Sequence, residues 1–180
     1  MAQKTKADNS AMKKLKQDLK EGGLGNLYVF HGEESYLREF YLGEMKKKLL
    51  PAGLEEFNLH TIPGKECTVE RLSQTIDCLP MMSERTLVVV TDYDLFGGAA
   101  GQREGMMELF AQLPDYCCLV FVYDLLEYKP DARTKMAAAL KKYGQVVPFK
   151  RQEQGDLVAW IARRFRALGK SIDRQTAEYL

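Results

Sequence analysis

Five short runs of apolar, β-branched and aromatic residues recur along the chain, and each is bounded by polar or turn-forming residues. Such runs predict β-strands. The predicted strands are Leu27–Phe30, Phe57–Thr61, Thr86–Val90, Cys117–Val122 and Gln145–Phe149. The third and fourth runs are almost continuously apolar, which is typical of central strands in a parallel sheet that is covered on both faces.

Between these strands, apolar residues recur at intervals of three or four and predict helices with one apolar face each. The positions are Leu37, Phe40, Tyr41, Met45 and Leu49; Val69, Leu72, Ile76 and Leu79; Met107, Phe110 and Leu113; and Met136, Leu140 and Tyr143. A further helix over residues 8–21 is expected to end at Gly22 and Gly23, and Gly97–Gly101 to form a loop. The alternation predicts an α/β fold with a doubly wound, parallel, five-stranded sheet.

After Phe149 the pattern is helical only. Apolar residues at helical spacing, Leu157, Trp160, Ile161, Phe165 and Leu168, predict one amphipathic helix that ends at Gly169, and Asp173 predicts a new helix start. We therefore expect one domain over residues 1–150 and the truncated start of an all-helical domain over 151–180.

Composition supports a globular chain, since 46% of the 180 residues are hydrophobic and 28% are charged. No run approaches the roughly 20 apolar residues that cross a bilayer, and no apolar signal core follows Met1, so a cytoplasmic location without membrane contact is expected. The cysteines Cys67, Cys78, Cys117 and Cys118 show no zinc-ligand spacing and are interpreted as reduced core residues. We expect no metal and no cofactor.

The net charge of +1 provides no general attraction to nucleic acid. The N-terminal segment nevertheless contains Lys4, Lys6, Lys13, Lys14, Lys16 and Lys20. A solvated helix face explains this cluster more simply than a contact with DNA, although the sequence leaves both interpretations open.

The turn after the first strand is the place where related α/β folds bind phosphate. A phosphate cradle needs a glycine-rich turn that ends in Lys and Ser or Thr. Here the turn contains Gly32, Glu33, Glu34 and Ser35, with one glycine and two carboxylates that would repel a triphosphate. We predict a degenerate site that binds no nucleotide, in which the two glutamates cap the next helix.

The end of the third strand offers a similar comparison. Asp92 stands where such folds carry a metal-binding Asp, but Tyr93 follows it instead of a catalytic Glu. We interpret Asp92 as a turn residue. His31 and His60 flank strands without partners at the spacing of a catalytic triad, so no catalytic residue is predicted.

An apolar corner precedes the third strand, in the segment Cys78–Ser83. Pro80 is expected to stop the preceding helix. Two consecutive methionines, Met81 and Met82, cannot both face one core, so one or both are expected to reach solvent as a contact for a partner. The alternative is that both fold under the corner.

Several segments together resemble the delta subunits of bacterial DNA polymerase III, which belong to the clamp loader. The matching segments are Tyr28–Leu37, Phe57–Leu59, Leu79–Val90, Asp131–Lys135, Leu140–Gly144, Trp160–Ile161 and Leu168–Asp173. Their order and spacing over residues 26–180 carry the resemblance, since each motif alone is weak.

The resemblance implies an AAA+-type module, then a helical lid, and then a collar domain that this chain lacks. It implies a subunit that binds the sliding clamp (beta) and opens its ring for loading on primed DNA without hydrolysing ATP. The family's apolar clamp-binding pair falls on Pro80 and Met81, with Leu79 and Met82 beside them, although many relatives carry Phe there. Other implied partners are the gamma/tau and delta prime subunits, through regions largely beyond Leu180, and DNA only within the complex.

Two other functions remain as alternatives. A working AAA+ or P-loop ATPase would need the missing Gly-Lys-Ser/Thr ending of the phosphate loop. A nucleic-acid-binding module would rest on the N-terminal lysines alone, without aromatic residues interleaved for base stacking.

Overall fold

The computed structural model describes residues 2–151 and 154–179, and within these ranges the side chains from residue 10 onward. The helices are α1 (Ala2–Glu21), α2 (Ser35–Leu49), α3 (Glu55–Asn58), α4 (Val69–Ile76), α5 (Ala100–Ala111), α6 (Lys135–Tyr143), α7 (Gln154–Ala167) and α8 (Arg174–Tyr179). The strands are β1 (Leu27–His31), β2 (Leu59–Pro63), β3 (Thr86–Thr91), β4 (Cys117–Val122) and β5 (Gln145–Pro148).

The five strands form one sheet in the order β2-β3-β4-β1-β5, and every neighbouring pair is parallel. The predicted α/β class and five-stranded parallel sheet are confirmed. Because successive strands are parallel, every helix-to-strand connection lies at the amino edge of the sheet and every strand-to-helix connection at the carboxyl edge. The six residues of β3 separate the two edges by about 20 Å.

Side chains of successive strand residues point to opposite faces, and both faces are covered. Val88, Val90 and Leu119 pack in a cluster with residues of α4, α5 and α6. Their neighbours Leu87 and Val89 are equally buried on the other face. This double coverage explains why β3 and β4 are continuously apolar.

Several predicted boundaries were wrong. Phe57 and Asn58 lie in the short helix α3 instead of a strand, and β2 runs two residues further. Helix α4 ends at Ile76, before Pro80 is reached, so Leu79 is outside it and 75% exposed.

Other differences concern the helices. Ala100 and Gly101, predicted as loop, form the first turn of α5. The buried residues of that helix are Met106 and Phe110, while Met107 is only partly buried. Helix α1 begins before residue 8, at Ala2, and ends at Glu21 as expected, because Gly22 adopts a left-handed φ of 84°.

The chain divides into two compact units, Met1–Phe149 and Lys150–Leu180. The second unit contains α7 and α8. Gly169 follows α7 with a φ of 69°, and Asp173 accepts a hydrogen bond of 2.8 Å from the Thr176 N–H, so the predicted stop and start are confirmed. In the described ranges, none of the helices is both long enough and apolar enough to cross a membrane.

The packing of α4 on α5 yields a stability prediction. A Cβ at Gly105 would lie 2.9 Å from Val69 Cγ1, whereas a Cβ at Gly101, in the same helix, would meet no atom within 4 Å. We expect Gly105→Ala to lower the free energy of unfolding by about 1–3 kcal/mol, because the β-branched Val69 cannot move aside easily. Gly101→Ala should raise it by about 0.5–1 kcal/mol. Urea unfolding measures both, and equal effects would contradict this packing.

Candidate functional site

The turn between β1 and α2 is closed by the protein's own backbone. Gly32 has a φ of 120°, and a Cβ at this position would overlap the carbonyl group of Phe149. That carbonyl accepts a hydrogen bond of 3.0 Å from the Glu34 N–H. A backbone amide that could face a phosphate is therefore already bound to the end of β5.

A buried arginine completes this closure. Arg38, on α2, is 3% exposed, and its guanidinium donates a 2.7 Å hydrogen bond to the Gly32 carbonyl and forms an ion pair with Asp124. The Arg38 guanidinium thus links the turn after β1 to the segment after β4. Glu34 occupies the position before α2, but its side chain makes no capping hydrogen bond, so the predicted capping role of this glutamate was wrong.

Asp92 also has a structural role at the carboxyl edge. Its Oδ1 accepts hydrogen bonds from the backbone N–H groups of Asp124, Leu125 and Leu126 at 2.8, 2.9 and 2.9 Å. Asp92 itself has a φ of 56°, a conformation that Asp tolerates better than most residues. These contacts support its interpretation as a turn residue.

The two histidines lie apart from any catalytic arrangement. His31 packs on Tyr128 with 4.3 Å between ring centroids. His60 Nε2 is buried without a hydrogen-bond partner among the described residues. Across residues 10–151 and 154–179, no three His, Cys, Asp or Glu side chains gather in a way that could hold a metal ion.

The apolar corner lies at the opposite, amino edge. Leu79 is 75% exposed, Met81 52% and Met82 82%, and Pro80 between them is half-buried. Neither methionine folds under the corner, so the alternative of two core residues is wrong. The four residues form one projecting surface, which we call the corner loop, Leu79–Met82.

The backbone of the corner loop is fixed by a residue that the sequence analysis missed. Asn58 is fully buried, and its side-chain amide bonds both backbone groups of Met81, accepting from the N–H at 2.7 Å and donating to the carbonyl at 2.9 Å. The polar Asn58 between the apolar Phe57 and Leu59 was the available signal, but the sequence analysis assigned this segment to a strand.

A second anchor follows the loop. The guanidinium of Arg85 donates to the carbonyls of Leu24 and Gly25 at 2.7 and 3.0 Å and to Asn26 Oδ1 at 3.1 Å. These acceptors belong to the connection between α1 and β1. The corner loop is therefore held to the amino edge of the sheet on both sides.

The cysteines differ from the expectation at one position. Cys67, Cys117 and Cys118 are buried, and burial raises the pKa of their thiols to about 11, 11 and 12. Cys78, expected in the core, is exposed directly before the corner loop, because α4 has already ended. It is consequently the most accessible of the four thiols.

The described lysines near the N-terminus lie on one helix. Lys13, Lys14 and Lys20 are exposed on α1, and Lys16 lies over the ring of Tyr41 at 5.9 Å from its centroid. The side chains of Lys4 and Lys6 lie outside the described residues. A solvated helix face agrees with these positions.

Comparison with known proteins gives a consistent result. The sequence model of the family described as DNA polymerase III, delta subunit, matches residues 28–150. DNA polymerase III subunit delta of Bacillus subtilis is 25% identical over 169 residues, which are 91% of this chain and 48% of that protein.

Solved structures support the same fold. The Bacillus subtilis DNA clamp loader delta protein matches with a TM-score of 0.71 at 22% identity, covering 92% of this chain and 50% of that one. A gamma-subunit-related protein of Thermotoga maritima matches with a TM-score of 0.52 at 16% identity, over 92% of this chain and 57% of that one. A Thermotoga maritima RuvB variant matches with a TM-score of 0.51 at 14% identity, covering 95% of this chain and 54% of that one.

These likenesses confirm the AAA+-type fold. The chain spans about half the length of the delta proteins that it matches.

The closed turn at Gly32 predicts the response to nucleotide. We expect titration of the chain with ATP and Mg²⁺ to release no binding heat, because the Glu34 amide is occupied and Glu33 adds negative charge. Isothermal calorimetry checks this. Saturable binding with a Kd below about 100 μM, or about −5.5 kcal/mol, would contradict the degenerate site.

Proposed function

Because the chain belongs to the family of DNA polymerase III delta subunits, we propose that it binds the sliding clamp (beta) through the corner loop Leu79–Met82 and helps to open the clamp ring. Membership of this family supports a role as a clamp loader subunit of the DNA polymerase III complex. Clamp binding, ring opening and the residues responsible are the further steps of the proposal.

The exposure of the corner loop is the observation that carries it. Leu79, Met81 and Met82 present at least half of their apolar surface to solvent at one place. Flexible, polarizable methionines adapt to an apolar pocket, and a few buried anchors usually dominate a protein interface. The backbone hydrogen bonds from Asn58 and Arg85 hold this surface in one conformation, which lowers the ordering cost of binding.

The closed turn supports a subunit without ATP hydrolysis of its own. The Phe149 carbonyl binds the Glu34 amide, the Arg38 guanidinium binds the Gly32 carbonyl, and Asp92 Oδ1 is engaged with three backbone amides. The free energy for opening the clamp would then come from ATP on neighbouring subunits. We place this activity in the cytoplasm, where DNA replication takes place.

The domain organisation follows from the same proposal. Residues 1–150 would be the clamp-binding AAA+-like domain, and residues 151–180 the start of the helical lid. Contacts with the gamma/tau and delta prime subunits would lie largely in a collar beyond Leu180, and DNA would be met only within the assembled complex.

Truncation of the two methionines tests the proposed interface. Met81→Ala with Met82→Ala should weaken binding to a bacterial sliding clamp by about 2–4 kcal/mol, because burying one Met side chain is worth about 1.5–3 kcal/mol, less ordering costs. The melting temperature should change little, since both side chains are exposed. Surface plasmon resonance and thermal unfolding measure the two quantities on the same variant.

Leu125→Ala is the matched control. Leu125 is 91% exposed after β4, at the opposite edge of the sheet, so its truncation removes an exposed apolar side chain far from the corner loop. Clamp affinity should remain unchanged in this variant. Unchanged affinity in the double Met variant together with a large loss of stability would refute the proposed interface.

A further inference from the structure

Asn58 is the only fully buried side-chain amide among the described residues, and all of its strong hydrogen-bonding capacity is directed to backbone. Its Nδ2 donates to the carbonyls of Leu54 at 3.0 Å and Met81 at 2.9 Å, and its Oδ1 accepts from the Met81 N–H at 2.7 Å. Both amide hydrogens are thus used. The side chain pairs with Met81 as a neighbouring strand would, through one donor and one acceptor.

This pairing is needed because the corner loop belongs to no strand or helix. Met81 has no sheet neighbour, and Met82 after it has a φ of 52°, in the left-handed region that side-chain-bearing residues rarely adopt. A backbone in that conformation persists only where its surroundings fix it. The two bonds from Asn58 fix the residue directly before it.

From this geometry we infer that Asn58 is the positioning residue for clamp binding: it sets the direction of the Met81 side chain without touching the clamp. The inference rests on the proposed function of the corner loop. Asn58 is buried beneath the loop while Met81 is half exposed above it, so Asn58 acts through the Met81 backbone.

The chemistry of the pairing favours Asn over Asp, the residue that is most similar to it in shape. Asp has the same shape, and its carboxylate can accept from the Met81 N–H. When ionised it cannot donate to the carbonyls of Leu54 and Met81, and its negative charge would face both oxygens. Asn58→Asp therefore keeps an acceptor for the Met81 N–H and removes the donor to the Met81 carbonyl, at nearly constant volume.

The experiment is a double-mutant cycle on clamp affinity. Asn58→Asp is measured alone and combined with Met81→Ala and Met82→Ala, and circular dichroism verifies that each variant is folded at the temperature used. Asn58→Asp alone should weaken binding about tenfold, because the methionines lose their preset orientation. When Met81 and Met82 are already Ala, adding Asn58→Asp should change clamp affinity by less than about twofold, since the effects of residues that act as a unit are not additive.

Asp92→Asn is the matched control for lost stability. It exchanges the same two residue types in the opposite direction and lies at the far edge of the sheet. It weakens three backbone hydrogen bonds, because the neutral amide oxygen of Asn is a weaker acceptor than a carboxylate oxygen. It should lower the melting temperature and leave clamp affinity unchanged. If Asn58→Asp does not fold, Asn58→Ser is used in its place, because its shorter side chain leaves room for water at the freed backbone groups.

The outcomes separate this inference from the proposed function. If the methionine variant binds the clamp like the unmodified chain, the proposed interface is wrong and the role of Asn58 is lost with it. If that variant is weakened while a folded Asn58 variant binds normally, only the positioning role is overturned. If Asn58→Asp lowers clamp affinity equally with and without the two methionines, the positioning role is also overturned, because Asn58 would then act through another part of the chain.

Discussion

The parallel pairing of all five strands is the constraint on which the rest of the structure depends. Because of this pairing, the connections that lead into strands lie at the amino edge of the sheet, and those that follow strands lie at the carboxyl edge, about 20 Å away. In open α/β sheets, ligands bind at the carboxyl edge. Here the turn at Gly32 on that edge is bonded to the protein's own backbone and to Arg38, and the corner loop stands at the amino edge.

Several polar groups at the carboxyl edge are engaged by internal contacts. Phe149 supplies an acceptor to the Glu34 amide, Arg38 joins Gly32 to Asp124, and Asp92 gathers the segment after β4. Buried charged and polar groups are stable only when paired, and these groups pair with one another.

Periodicity predicted the sheet, the helices that cover it and the exposed methionines, because each depends on the local alternation of apolar and polar residues. It failed where one side chain decides the conformation of a distant segment. Asn58 was assigned to a strand because its neighbours are apolar, and nothing in the sequence relates it to Met81, 23 residues later. The exposure of Cys78 was missed for a similar reason: Pro80 suggested a longer helix, whereas α4 ends at Ile76. The role of Arg38 depends on Asp124, which is 86 residues away and meets it only through the pairing of β1 with β4.

If the sliding clamp covers the corner loop as proposed, it also shields the exposed thiol of Cys78, which lies directly before that loop. Because Cys67, Cys117 and Cys118 are buried with raised pKa values, an alkylating reagent should modify Cys78 first in the folded chain. The rate of that modification, followed by mass spectrometry, should fall by roughly tenfold or more when a saturating sliding clamp buries the interface. A complex that forms while Cys78 reacts at the rate of the free chain would contradict the account.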